Sequence, residues 1–243
     1  EAQELGYAEP DPTNDVEGID AKYKAIILSM ICFGATPVTD AVFTKGISDI
    51  TKEDFSWAKR LGKTIKLVAV VDNEEGFNAR VTPVLLDTKH PLASIRGALN
   101  AVVVEGENIN QLVFSGPGAG AEPTASAIIG DVLSACHQIN SNQSNWYPLR
   151  ENKHGEKNFD DVLSSWFLRL SVADEPGVLA EIAGTLGENN VSIESVIQEG
   201  RGDEAELVLI THEAPEKALE NSLNQLTALT SVSAVMSTLR VYS

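Results

Sequence analysis

Phe167-Leu-Arg-Leu-Ser-Val-Ala173-Asp-Glu-Pro-Gly177-Val-Leu-Ala-Glu-Ile-Ala-Gly-Thr-Leu186 changes its periodicity half-way. Up to Ala173 the side chains alternate with period two, as a strand does. Asp174-Glu-Pro-Gly177 is a turn, and from Val178 to Asn189 the residues Leu179, Ile182, Ala183 and Leu186 fall on one helical face. Strands follow at Ile193–Glu199 and Ala205–Thr211, joined through Gly200-Arg-Gly-Asp203. Pro215 to Leu226 reads as a helix and Val232–Val241 as a last strand. The order βαββαβ within about 80 residues describes a ferredoxin-like module.

Upstream of this module lies a polar bridge, Gln138 to Asp161, rich in Asn, Ser, Lys and Glu. Its composition predicts a surface linker, with Trp146, Tyr147 and Leu149 as a possible anchor on a neighbour. Ahead of the bridge the grammar differs again. An irregular loop to Gly18 precedes a helix over Ala21–Phe33, with Asp20 as N-cap and Ile26, Ile27, Met30 and Ile31 as its apolar face. Ser48-Asp-Ile-Thr51 leads into a second helix, Lys52–Leu61, which Gly62 stops. Strands are expected at Ile65–Val71, Phe77–Leu85, Ala98–Glu105 and Gln111–Ser115, and a helix over Glu122–His137. Strand and helix do not alternate as in a doubly wound fold, so this part is α+β with a mixed sheet. The expected division is 1–140, a linker over 141–163, and 164–243.

The chain has 243 residues, enough for one or two domains, and 43% of them are hydrophobic. Its net charge of -17 argues against nucleic acid or an anionic membrane as partner, because both require a basic face. This reads as a soluble, acidic, cytoplasmic protein. Cys32 and Cys136 sit in apolar helical runs without a neighbouring cysteine, which predicts buried, reduced thiols. His137, His154 and His212 have no partners at metal-ligand spacing, so no metal site is expected. His90, before Pro91, reads as a loop histidine satisfied by its neighbours, with acid–base work as the alternative.

The densest chemistry lies near the start: Gly6-Tyr-Ala-Glu9-Pro-Asp11-Pro12-Thr-Asn-Asp15-Val-Glu-Gly18-Ile-Asp20-Ala-Lys-Tyr-Lys24. Asp20 and Lys24 are four apart and share a helix face. Glu9, Asp11 and Asp15 stand in a loop stiffened by Pro10 and Pro12. Two readings are open on the residues alone. Asp20 caps a helix with Lys24 as a solvated partner, or the carboxylates hold a polar substrate while Lys24 moves a proton.

Ala2, Gly6, Ala8, Asp11-Pro12, Asp15, Gly18, Asp20 and Lys24 at these spacings resemble the signature of homoserine dehydrogenases. The resemblance continues through His90-Pro-Leu-Ala93 and Gly116-Pro-Gly-Ala-Gly120, and the ferredoxin-like module resembles an ACT domain. It implies a catalytic domain for substrate binding and dimerisation, followed by an ACT regulatory domain. It implies oxidation of L-homoserine to L-aspartate 4-semialdehyde with NAD(P), and the reverse reduction, in threonine, methionine and isoleucine biosynthesis. Lys24 would then be the catalytic proton donor and acceptor, with Glu9, Asp15 and Asp20 binding the substrate.

Gly116-x-Gly-x-Gly120 follows a strand and precedes a helix, yet a third glycine at dinucleotide spacing would fall on Ala121 or Pro123. On the residues it is a tight turn; by resemblance Gly120 borders the nicotinamide cofactor. No stretch carries a Rossmann fingerprint. The family's cofactor domain, a further active-site lysine and a monovalent-cation site lie ahead of the signature, so this chain alone is expected to be inactive. In the ACT-like module, Asp174, Gly177, Val178 and Leu179 are candidates for a regulatory ligand, with Asn189 and Asn190 behind them; the effector implied is L-threonine. Such modules pair edge to edge, which implies a homodimer or homotetramer; the competing reading of the module is purely structural, extending the sheet between copies. The alternative function is a stand-alone amino-acid-binding regulatory protein with a degenerate catalytic remnant.

Overall fold

The computed structural model describes residues 11–73, 75–141, 155, 157–200 and 204–242. Every secondary element expected from periodicity is present, most with ends shifted by a few residues. In chain order they begin with α1 (Thr13–Val16), α2 (Ile19–Phe33), β1 (Phe43–Thr44) and α3 (Lys52–Arg60). Then come β2 (Lys63–Asp72), β3 (Asn78–Asp87), β4 (Leu99–Gly106), β5 (Asn110–Pro117) and α4 (Ala121–Ser141). The ACT-like half runs β6 (Leu163–Ala173), α5 (Val178–Glu188), β7 (Ile193–Glu199), β8 (Glu204–Thr211), β9 (Ala214–Pro215), α6 (Glu216–Leu226) and β10 (Val232–Tyr242).

Two halves that read as separate share one sheet. Its order is β1-β3-β10-β6-β8-β7, with β2 on the other flank of β3. The joint is β10: antiparallel to β6 along most of its length, and parallel to β3 through Arg240–Tyr242 against Val84–Leu86. β1 occupies the same flank of β3 further back, pairing with Arg80 and Val81. Pro83 falls in the interval between these two partners. A proline has no N–H to give, so a gap in the ladder suits it inside a strand otherwise buried on both flanks.

Strand β6 shows why the sheet needs cover on both faces. Trp166, Leu168, Leu170 and Val172 point into a core closed by α5 and α6, with Ile182, Leu186, Leu219 and Leu226. Phe167 points the other way, among Trp57 and Ala58 of α3, Ile65, Leu85 and Leu239. Arg169 lies on that second face at 3% exposure. A buried guanidinium requires partners. It finds them in Asp54 Oδ1 (2.9 Å), Glu206 Oε1 (2.9 Å) and Thr51 Oγ1 (3.2 Å). Thr51 and Asp54 are also the reciprocal cap of α3: the Thr51 N–H donates to Asp54 Oδ2 at 2.9 Å, and the Asp54 N–H donates to Thr51 Oγ1 at 3.3 Å.

Four expectations change. The stretch up to Gly18, expected as an irregular loop, contains the short helix α1 over Thr13–Val16, closed by bonds from the Val16 and Glu17 N–H groups to the Pro12 and Thr13 carbonyls. Cys32 and Cys136 are free but exposed. Cys32 lies on the outward side of α2, and α4 buries none of its residues. Ile27 and Ile31 of α2 are exposed too, because the helix turns Ala25, Ser29, Ile26 and Phe33 to the protein instead. Asp20 is not the N-cap; α2 starts at Ile19, with Gly18 in the cap position. The proposed linker anchor, Trp146, Tyr147 and Leu149, lies outside the described residues.

Arg169→Ala would strand the Asp54 carboxylate in the core. A loss of about 3–5 kcal/mol in stability is expected from urea unfolding, as for other broken buried pairs.

Candidate active site and regulatory site

The signature residues lie on two short helices meeting at a glycine. Asp11 opens α1: its Oδ1 accepts from the Thr13 N–H (3.1 Å) and the Thr13 hydroxyl (2.6 Å). Both bonds favour the ionised form and hold the Asp11 carboxyl below its ordinary pKa. Asp15 is on α1 and exposed. Gly18 then takes φ +75°, a left-handed conformation that suits glycine. It is buried, and a Cβ there would meet Val81 Cγ1 at 3.1 Å. The turn therefore lets α2 begin in close contact with β3.

One turn into α2, Lys24 Nζ lies 2.6 Å from Asp20 Oδ2, and both side chains are about half exposed, at 53% and 49%. Asp20, Tyr23, Lys24, Ile27 and Ile31 together face outward. The structure thus brings Asp20 and Lys24 into contact on an open surface and puts Asp15 on the helix just before them. Glu9 lies outside the described residues.

The glycine loop is a strand-to-helix turn, from β5 into α4. Gly120 has φ +124°, and its carbonyl accepts from the Thr124 N–H at 3.2 Å. Gly118 is pressed against the Asn100 side chain, which a Cβ would overlap. The hairpin β4–β5 pairs with no other strand among the described residues. Along α4, Ile128, Ile129, Val132, Leu133 and Ile139 are all more than half exposed.

His90 accepts a bond at Nδ1 from the Leu92 N–H (3.2 Å), a local cap that accounts for its place in the loop. Nearby, Lys66 donates to the Ile95 carbonyl. Burial lowers its pKa, and the Arg96 charge lowers it further. Among the described residues no group of three or more His, Cys, Asp or Glu could hold a metal ion. No helix described is long and apolar enough to cross a membrane.

In the second half, Gly177 caps α5 at φ +100° with open space where a Cβ would be. Asp174 accepts from Gln198 Nε2 on β7 (3.1 Å), Val178 is buried and Leu179 is 40% exposed. Asn189 and Asn190 are at the other end of α5, about 16 Å along an 11-residue helix. Asn189 Nδ2 is already bonded to the Thr185 carbonyl and to Gln225 Oε1. The four candidates at the helix start cluster; the two asparagines do not join them within one chain.

Residues 1–133 match the homoserine dehydrogenase family, and residues 166–230 match the ACT domain. The chain belongs to the homoserine dehydrogenase family. It is 40% identical over 248 residues to homoserine dehydrogenase of Corynebacterium glutamicum, covering 99% of this chain and 56% of that one. The Bacillus subtilis homoserine dehydrogenase is 37% identical over 246 residues, covering 99% and 57%. The crystal structure of a homoserine dehydrogenase from Thiobacillus denitrificans superposes with a TM-score of 0.92 at 34% identity, covering 100% of this chain and 57% of that one. The chain spans a little over half the length of the relatives it matches. The two-part α+β architecture, with a mixed sheet and an ACT module, is the family's.

Gly18→Ala would force a side chain into the left-handed region and against Val81. A loss of about 1–3 kcal/mol is expected in denaturant unfolding, with most of it retained in Gly18→Ser, which meets the same backbone strain.

Proposed function

We propose that this chain is the substrate-binding and regulatory part of a homoserine dehydrogenase, interconverting L-homoserine and L-aspartate 4-semialdehyde. The observation that carries this reading is the Asp20–Lys24 pair, 2.6 Å apart on an open helix face, in a chain of this family. Reduction of an aldehyde leaves an alkoxide that must gain a proton. An ammonium fixed by a carboxylate is a suitable donor, and its amine form is the acceptor in the reverse direction. Lys24 takes that role. Asp20 keeps the Lys24 side chain oriented and, with Glu9 and Asp15, supplies carboxylates for the substrate's ammonium and hydroxyl groups.

The nicotinamide cofactor, NAD or NADP, supplies or accepts the hydride when bound. The glycine loop fits one edge of such a group. Gly116 has open space around it, Gly120 is in a conformation suited to glycine, and the backbone N–H groups at the start of the 21-residue α4 favour an anion. These residues form a border, not a whole dinucleotide site. The exposed apolar face of α4 supports the same view, since a patch of this kind marks a packing surface. In this reading a cofactor-binding part packs there in the complete enzyme, and the 243-residue chain alone does not turn over.

At the start of α5, the exposed helix N-terminus suits the carboxylate of an amino-acid effector, and Asp174 its ammonium group. Gly177 leaves the approach open, and Val178 and Leu179 border it. L-threonine is the proposed effector. Strand β7 pairs on one side, with β8. A second copy could add to that edge, so the proposed assembly is a homodimer or a homotetramer.

The complete enzyme carrying Lys24→Ala should lose kcat by about 10²–10⁴-fold while still binding homoserine, as expected when a positioned acid–base group is removed. Retained turnover would sink the proton role. NADPH oxidation with aspartate semialdehyde by the 243-residue chain alone would overturn the two-part reading. Calorimetry of the chain with millimolar L-threonine should register heat, and Asp174→Ala should remove it. No heat in the parent chain would leave the ACT module a purely structural role.

A further inference from the structure

The segment Phe43–Ser48, which no sequence motif singled out, lies across the turn that joins α1 to α2. The Ile47 N–H donates to the Val16 carbonyl at 2.8 Å. The Ser48 hydroxyl donates to the Glu17 carboxylate. Between β1 and Ile47, Gly46 is so close to the turn that a Cβ would stand 2.5 Å from the Val16 carbonyl oxygen and 2.6 Å from Glu17 Cα. The other edge of the segment is bonded to the sheet: the Lys45 N–H donates to the Val81 carbonyl at 2.8 Å, and Thr44 pairs with Val81.

Helix α1 has four residues and buries none of them. A helix that short does not hold its place by its own bonds. What fixes Val16, Glu17 and Gly18 is the contact of Gly18 with β3, the two bonds from Ile47 and Ser48, and the close approach that Gly46 allows. The far end of the segment is fixed in turn. Phe43 stacks on Phe159, with ring centroids 4.4 Å apart and 15° between planes. The Arg240 guanidinium lies 5.1 Å from the Phe43 ring and is held by two 2.7 Å bonds to Glu216.

We infer that Phe43–Ser48 is a positioning strap for the dehydrogenase site: it sets where α2 begins, and so where Asp20 and Lys24 stand relative to β3. This rests on the proposed dehydrogenase reading. Ser48 and Gly46 are positioning residues and act through the Val16–Gly18 turn. The strap bonds Val16 and Glu17, only four and three residues upstream of Asp20, so a shift of the turn is passed to the pair with little loss.

The test has two arms. In the complete enzyme, Ser48→Ala should lower kcat for homoserine about ten- to hundredfold, with KM for the cofactor unchanged, as a displaced catalytic group does. Ser48→Thr keeps the hydroxyl and should recover most of the rate. In the 243-residue chain, hydrogen exchange followed by NMR should show the Ile47 amide opening about tenfold faster in Ser48→Ala, as expected for one lost charge-assisted bond. The amides of β6 should be unaffected. Unchanged kcat together with unchanged exchange at Ile47 overturns the strap. So does a loss of rate that Ser48→Thr fails to recover, or one accompanied by faster exchange throughout β6. If the parent enzyme does not oxidise homoserine, the dehydrogenase reading fails, and the exchange arm still decides whether the strap holds the turn.

Discussion

The guanidinium of Arg169 is the interaction on which the joining of the two halves depends. It is buried, and so is the Asp54 carboxylate that faces it. Two charges out of water are tolerable only as a pair, and only with their remaining bonding capacity used. Thr51 and Glu206 use it. Asp54 is at the same time the third residue of α3 and the partner that caps it. One carboxylate thus ends a helix and fastens that helix to a strand of the other module. On this face the apolar contacts of Phe167 with Trp57 and Ala58 supply area, while the ion pair supplies register. The outer corner is closed by Arg60, whose guanidinium lies 4.0 Å above the Trp57 ring and also bonds Glu199 of β7.

The same economy applies at the second junction. Arg240 is bonded bidentately by Glu216 and surrounded by the rings of Phe43, Phe159 and Trp166. Arg80 is bonded by Asp72, Asn78 and the Tyr242 hydroxyl. Each of these arginines draws partners from distant parts of the chain. An ACT module hung on a free tether would need none of these bonds. Here it shares strands, charges and rings with the part that carries Asp20 and Lys24. The two halves are therefore joined by backbone pairing through β10 as well as by these side chains.

Much of this was legible in the sequence, and the rest was not, for specific reasons. Alternation over Phe167–Ala173 found β6, because one face of that strand is packed by helices. It could not show that Phe167 and Arg169 are also buried, since a buried arginine reads as the polar side of a strand until its partner is known. Asp54 lies 115 positions away from Arg169, and nothing local distinguishes it from an ordinary capping residue. Apolar character and helical spacing predict that Ile27, Ile31, Cys32 and Cys136 face inward, as apolar residues usually do. They are exposed because the helix faces that carry them have no neighbour among the described residues. The signature residues stand out in the sequence through their spacing, and the structure puts Asp15, Asp20 and Lys24 on adjoining helices. The strap was invisible, because backbone bonds from Lys45 and Ile47 leave no side-chain pattern.

β10 lies between β3 and β6, and both of those strands leave the ribosome before it. At the usual pace of synthesis, roughly 5–20 residues per second, β3 waits on the order of ten seconds for the strand that will lie beside its second half. Through that time its backbone groups and the apolar faces around Leu85 are open to any other extended chain. The nascent polypeptide therefore carries an unpaired edge in the middle of its eventual sheet until β10 emerges. Premature termination anywhere before Arg240 would leave that edge permanently open. Such products would present that edge to aggregation even where every upstream residue is intact.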